Sequence, residues 1–122
     1  MNSASKKLFL EGVDLFNRKS FYDAHESWES LWTEYNLDDA LLIQGLIQLS
    51  VAYFHITNLN LKGSKNLFNK CIPKLEKYRE NLRGIDINEI IYTAELALHK
   101  INSIDNTNDF DWGLVPKIRI SK

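Results

Sequence analysis

Residues 40–60, ALLIQGLIQLSVAYFHITNLN, are the longest nearly uncharged stretch of this chain, and they decide the fold. Apolar side chains surround this segment on almost every side when it is drawn as a helix, which indicates burial by several neighbours. Gln44, Gln48 and His55 make the segment too polar for a membrane span. It therefore predicts the central helix of a soluble helical domain.

Four further helices are predicted on either side of this segment from caps and breaks in the sequence. The five helices cover residues 5–17, 21–35, 39–58, 63–82 and 87–104. Ser20 is the predicted N-cap of the second helix, and Asp23 completes a capping box with it. Pro73 lies inside the fourth helix and should kink or split it. The predicted fold class is all-α, a single-domain five-helix bundle of antiparallel helical hairpins with an extended C-terminal tail.

The predicted domain boundary lies at residue 104. Residues 1–104 form the helical bundle domain, and residues 105–122 form a C-terminal tail packed on the bundle. The tail is rich in Asn and Asp before it becomes apolar around Trp112. Pro116 argues against a continued helix. We expect the tail to be extended and to lie against the bundle through Trp112.

Composition favours one ordinary globular domain and excludes several classes of partner. The chain has 122 residues, 44% of them hydrophobic, and a net charge of -1. This charge gives no basic face for nucleic acid, and we expect neither a nucleic-acid nor a membrane partner. A single cysteine, Cys71, forms no internal disulfide, which predicts a reducing, cytoplasmic location. We expect Cys71 to be a small buried side chain rather than a reactive thiol.

The second helix places a polar pair within an aromatic face. At about 100° per residue, His25 lies among the side chains of this face, and Glu29 lies on its flank one turn later. Trp28 and Trp32 continue the same stripe and are predicted to be core residues. An imidazole in such a position must find a hydrogen-bond partner or reduce stability.

The third helix carries a stripe of polar side chains that are possible partners of His25 and Glu29. Gln44, Gln48 and His55 fall within one narrow sector of an otherwise apolar helix. Short connections make the second and third helices antiparallel neighbours, so the pair should face the stripe. The predicted ligand-binding residues are His25, Glu29, Trp32, Gln44, Gln48 and His55.

Three interpretations of this cluster remain open at the level of sequence. The first is a structural hydrogen-bond network that fixes how two helices pack. The second is a metal site formed by His25, Glu29 and His55, with Gln48 as the alternative third contact and a divalent ion as the one cofactor considered. The third is acid–base catalysis by one of the histidines. Because Gln44 and His55 are about 16 Å apart along the helix axis, one ion cannot recruit the whole stripe.

Several motifs occur in an order that resembles the domain of unknown function family 309. They are Phe16-Asn17, Phe21-Tyr22-Asp23-Ala24-His25-Glu26, Trp28-Glu29, Trp32, Gln44-Gly45-Leu46-Ile47-Gln48, His55 and Asn60-x2-Gly63. The resemblance covers roughly residues 8–78 and implies a small helical bundle. It also implies that the site residues named above, together with Glu26, occupy characteristic family positions. It implies no reaction.

Three functions are compatible with these observations. The first is a pocket between the second and third helices that binds a small ligand or a metal ion. The second is a protein-interaction module of helical hairpins similar to tetratricopeptide repeats, with a protein partner or a second copy. The third is a metal-dependent hydrolase. No residue is assigned a catalytic role, and whether the chain is an enzyme stays open.

Overall fold

Five α-helices build the fold in the computed structural model of the protein, which describes residues 3–121. They are α1 (Ser3–Asn17), α2 (Phe21–Glu34), α3 (Ala40–Thr57), α4 (Leu61–Glu76) and α5 (Ile87–Ser103). Two short 3₁₀ turns follow at Thr107–Asp109 and Trp112–Leu114. The prediction of an all-α, five-helix bundle is confirmed.

Helix α3 is the centre of the bundle, because it packs against α2 on one side and α4 on the other. Its buried apolar side chains are Leu42, Ile43, Leu46, Leu49, Ala52, Tyr53 and Ile56. Within the described residues, α3 is the one helix long and apolar enough to cross a membrane, with a mean hydropathy of 1.4. Half of it is buried inside the bundle, as expected for a core helix.

The turns that close the first two helical hairpins have the same construction. Lys19 and Leu59 adopt left-handed backbone conformations, with φ of 63° and 58°. The amide after each one donates to a carbonyl five residues back: Ser20 N–H to Leu15 O at 2.9 Å, and Asn60 N–H to the carbonyl of residue 55 at 2.8 Å. This Schellman arrangement satisfies carbonyls that a helix end leaves open. Each turn therefore reverses the chain in three residues.

The helix starts differ from the predicted ones in how they are capped. Ser20 occupies the N-cap of α2, but its side chain makes no cap hydrogen bond within the described part of the chain. The predicted capping box with Asp23 is thus not formed. Helix α4 begins before the predicted residue 63, because Asn60 Oδ1 accepts from Gly63 N–H at 2.8 Å and caps the helix. It continues through Pro73 without splitting and ends at residue 76 instead of 82.

The C-terminal tail lies along the start of α2 and the end of α1. The side-chain amide of Asn17 donates to Ile118 O at 2.9 Å, and its oxygen accepts from Ile118 N–H at 2.7 Å. The ring of Trp112 stacks on Phe21, with 6.1 Å between ring centroids. The tail therefore covers apolar surface that α1 and α2 leave open.

Cys71 is fully buried in α4, as expected from the sequence. Burial raises the pKa of its thiol from 9.0 to about 12, and burial also raises the pKa of Tyr53 on α3. Both groups stay neutral in the folded protein over a pH range in which the unfolded chain already ionises them. The neutral thiol therefore contributes its full share of the free energy of unfolding below pH 9, and this contribution is lost as the pH rises towards 12.

We predict that Cys71 resists thiol-labelling reagents in the folded protein and reacts as soon as the chain unfolds. Chemical denaturation as a function of pH should give a falling free energy of unfolding above pH 9. A Cys71→Ala variant should show a shallower decline, because Tyr53 alone then titrates. Rapid labelling under native conditions, at a rate equal to that in denaturant, would contradict the prediction.

Candidate functional site

A cleft of about 250 Å³ opens between α2 and α3. Its lining residues are Glu29, Trp32, Gln44, Ile47 and Gln48. Four of the six predicted ligand-binding residues therefore meet in one place. The predicted polar flank of α2 faces the polar stripe of α3 at this level of the bundle.

A buried hydrogen bond sets the register that brings these side chains together. The hydroxyl of Ser50 on α3 donates to Phe21 O at the start of α2 over 2.6 Å. The ring of Tyr53 stacks on Phe21 with centroids 5.4 Å apart. Because the two helices run antiparallel from this point, the first half of α3 lies beside the second half of α2. Gln44 and Gln48 are thereby placed opposite Glu29.

His25 adjoins the cleft and holds the carboxylate of Glu29. His25 Nε2 lies 3.0 Å from Glu29 Oε2, and Nδ1 lies 3.0 Å from Tyr22 O. Both partner atoms are acceptors, and a neutral imidazole donates through one nitrogen at a time. If Nδ1–H donates to Tyr22, the lone pair of Nε2 faces a carboxylate oxygen. A cation between Nε2 and Oε2 would contact both acceptors in this tautomer, whereas in the other tautomer Nε2–H donates to Glu29 itself.

Residues 9–67 match the model of a family described as Domain of unknown function (DUF309). We call this matched segment, residues 9–67, the DUF309 domain. This confirms the resemblance inferred from the ordered motifs. All six predicted site residues lie inside the DUF309 domain, whereas α5 and the tail follow it. No curated protein matches the chain significantly.

His55, the third predicted metal ligand, lies elsewhere in the DUF309 domain. It is near the end of α3, with its ring 6.2 Å from that of Phe54. At the helical rise per residue it stands about 10 Å beyond Gln48 along the axis. No group of three His, Cys, Asp or Glu side chains suited to a metal ion is found among residues 3–121. The predicted set of His25, Glu29 and His55 is therefore not brought together.

The two tryptophans of α2 have different environments. Trp28 is fully buried, and its indole Nε1–H donates to Phe9 O of α1 at 3.1 Å. Trp32 is 41% exposed and forms one wall of the cleft. The prediction that both are core residues is right for Trp28 and wrong for Trp32. The reason is that α3 presents Gln44 at this level instead of an apolar side chain that would enclose the indole.

Gln48 supplies a polar atom that the fold leaves unsatisfied. Its side-chain oxygen Oε1 is excluded from solvent and has no hydrogen-bond partner among the described residues. A buried acceptor in this state costs about 1–3 kcal/mol. Since Gln48 also lines the cleft, a rotation of its side-chain amide would bring this oxygen within reach of a donor there.

Tyr22 is a site residue that the sequence analysis did not single out. Its ring is half exposed and lies 5.2 Å from the ring of His25 and 5.3 Å from that of Phe54, measured between centroids. Its carbonyl oxygen lies 3.0 Å from His25 Nδ1. The available signal was the spacing of three residues between Tyr22 and His25, which makes two side chains neighbours on a helix surface.

Proposed function

We propose that the DUF309 domain binds a small ligand that donates hydrogen bonds in the cleft between α2 and α3. The observation that supports this function is Gln48 Oε1, a buried acceptor without a partner among residues 3–121 at the wall of an open cleft. Because Oε1 is itself closed to solvent, the side-chain amide of Gln48 must turn towards the cleft, where a ligand N–H group would remove the cost of the unsatisfied atom.

The other walls of the cleft narrow the chemical class of the ligand. Glu29 contributes a carboxylate, of which His25 holds the Oε2 atom and leaves the second oxygen for a ligand. The exposed indole of Trp32 offers a ring face that attracts cations. A volume of about 250 Å³ suits a compact group rather than a large cofactor. The proposed ligand is therefore a small organic cation that carries N–H groups, such as an ammonium or a guanidinium.

A divalent metal ion is the second candidate, and the geometry of His25 favours it. Metal-binding histidines commonly donate their second ring N–H to a backbone carbonyl, as His25 Nδ1 is placed to do towards Tyr22. An ion about 2.1 Å from both atoms fits between His25 Nε2 and Glu29 Oε2, which are 3.0 Å apart. With two protein ligands the affinity should be low, and water would complete the coordination.

We predict that agmatine, which carries both an ammonium and a guanidinium group, binds saturably to the full chain. Nuclear magnetic resonance titration should shift the side-chain amide signals of Gln48 and the indole N–H signal of Trp32. Glu29→Gln should weaken binding about tenfold or more, because a hydrogen bond to a charged group is lost. The matched control is Glu95→Gln on the exposed face of α5, which should bind like the parent protein.

Two results would overturn this proposal. One is the absence of a saturable shift with agmatine, and the other is equal binding by the Glu29→Gln and Glu95→Gln variants. A parallel titration with Zn²⁺ separates the two candidates. Zn²⁺ binding that is lost in His25→Ala but kept in His99→Ala, without agmatine binding, would replace the organic cation with the metal ion.

A further inference from the structure

The loop between α4 and α5 carries an apolar side chain that lies entirely in solvent. Leu82 is 100% exposed. Leu10 of α1 and Ile120 of the tail are also exposed, and together with Leu82 they line a groove of about 290 Å³. Single exposed apolar residues are ordinary, but three around one groove form a continuous apolar patch of the kind that marks interaction sites.

The position of Leu82 is fixed by the residue that follows it. The guanidinium of Arg83 donates from Nε and Nη2 to the carboxylate of Asp39 at 2.8 Å and 2.9 Å. It also lies over the ring of Phe9, with 4.9 Å from its central carbon to the ring centroid. Because the Arg83 side chain is buried and tied to two helices, Leu82 projects from a rigid base. We call this projection, Leu82 and Arg83, the Leu82 ridge.

Charges of opposite sign lie on the two sides of the Leu82 ridge. Lys6 lines the groove on one side. A larger cleft of about 560 Å³ on the other side is lined by Asp38 and Glu80, among others. No ion pair within residues 3–121 involves any of these three side chains. The ridge therefore separates an unpaired positive charge from two unpaired negative ones.

We propose that the Leu82 ridge is the contact between two copies of this chain. A twofold axis along the ridge places the Lys6 side of one copy opposite the Glu80 side of the other, and the reverse contact follows from the symmetry. The same operation sets Leu82 against Leu82 of the partner on the axis. The surface is thus complementary to itself in charge, with an apolar contact at its centre, which points to a second copy as its occupant. This inference is independent of the proposed ligand site between α2 and α3.

The test is the mass of the full chain in solution, measured by sedimentation velocity over a range of concentrations. We expect a concentration-dependent dimer for the parent protein. Leu82→Ser should raise the dissociation constant at least about tenfold, while the midpoint of thermal unfolding, measured at concentrations where both proteins are monomeric, stays unchanged because Leu82 is fully exposed. The control is Leu59→Ser in the α3–α4 turn, where Leu59 is 78% exposed and remote from the ridge; it should dimerise like the parent.

A charge exchange tests the arrangement of the two copies. Lys6→Glu and Glu80→Lys should each weaken the dimer, because like charges then face each other. Mixing the two variants should restore a mixed dimer, since both contacts become attractive again. A monomer at every concentration, equal dimerisation of the Leu82→Ser and Leu59→Ser variants, or a failure of the mixture to restore the dimer would overturn the proposal.

Discussion

Replacing Gly12 by alanine is expected to lower the free energy of unfolding by about 3 kcal/mol. A Cβ atom at Gly12 would lie 2.1 Å from Nε1 and 2.4 Å from Cδ1 of Trp28. The indole cannot move aside, because it is fully buried and its centroid is 6.0 Å from that of Phe16. Its hydrogen bond to Phe9 would also be broken. Denaturant unfolding, followed by circular dichroism, measures the loss.

Gly63→Ala is the matched control for this prediction, because it makes the same change in another helix. A Cβ at Gly63 would lie 2.6 Å from Nδ2 of Asn60, which is the end of a flexible side chain. The cost is therefore the Asn60 cap, about 1 kcal/mol, and the better helix propensity of alanine offsets much of it. Equal losses for the two variants would contradict a specific clash between α1 and Trp28.

Replacing Asp39 by alanine should destabilise the fold by about 3 kcal/mol. The Arg83 side chain is 3% exposed, and the Asp39 carboxylate binds it through both oxygens at 2.8 Å and 2.9 Å. Removing the carboxylate leaves a buried guanidinium without its bidentate partner. Thermal and denaturant unfolding of the variant measure the effect.

An exposed ion pair provides the comparison for Asp39. Asp14 and Arg18 are 2.8 Å apart on α1, with side chains 60% and 68% exposed. Asp14→Ala should cost at most about 1 kcal/mol, because water screens this pair. If the Asp39 and Asp14 variants lost the same stability, burial of Arg83 would not carry the energy assigned to it.

The helices were predictable because their signals are local. The apolar periodicity of α3 and the turn residues around Ser20 and Asn60 lie within a few positions of the structure they determine. The role of the residue that caps α3 was harder to predict. Asp39 stands at its N-cap, but its carboxylate binds Arg83, which is 44 residues away in the sequence. A local pattern contains no information about a partner at that distance.

The sequence predicted on which side of each helix the candidate site lies, but not which side chains lie at the same level of the bundle. A helical wheel correctly placed Glu29, Gln44 and Gln48 towards one another. His55 shares the angular sector of the two glutamines, but the register of α2 against α3 is set by contacts such as that of Ser50 with Phe21. The sequence alone therefore does not show which end of the stripe meets His25 and Glu29. The exposure of Trp32 could not be predicted for a similar reason, because it depends on which side chain of α3 lies beside the indole.

The double hydrogen bond between Asn17 and Ile118 joins residues 101 positions apart. On the ribosome, α1 and α2 emerge long before their last partner has been translated. Until residues 112–118 have left the ribosome, the amide of Asn17 must be satisfied by water, and the ring of Phe21 lacks the cover of Trp112. This edge of the protein is therefore completed only after residue 118 has emerged, and a nascent chain stalled before that point would expose it.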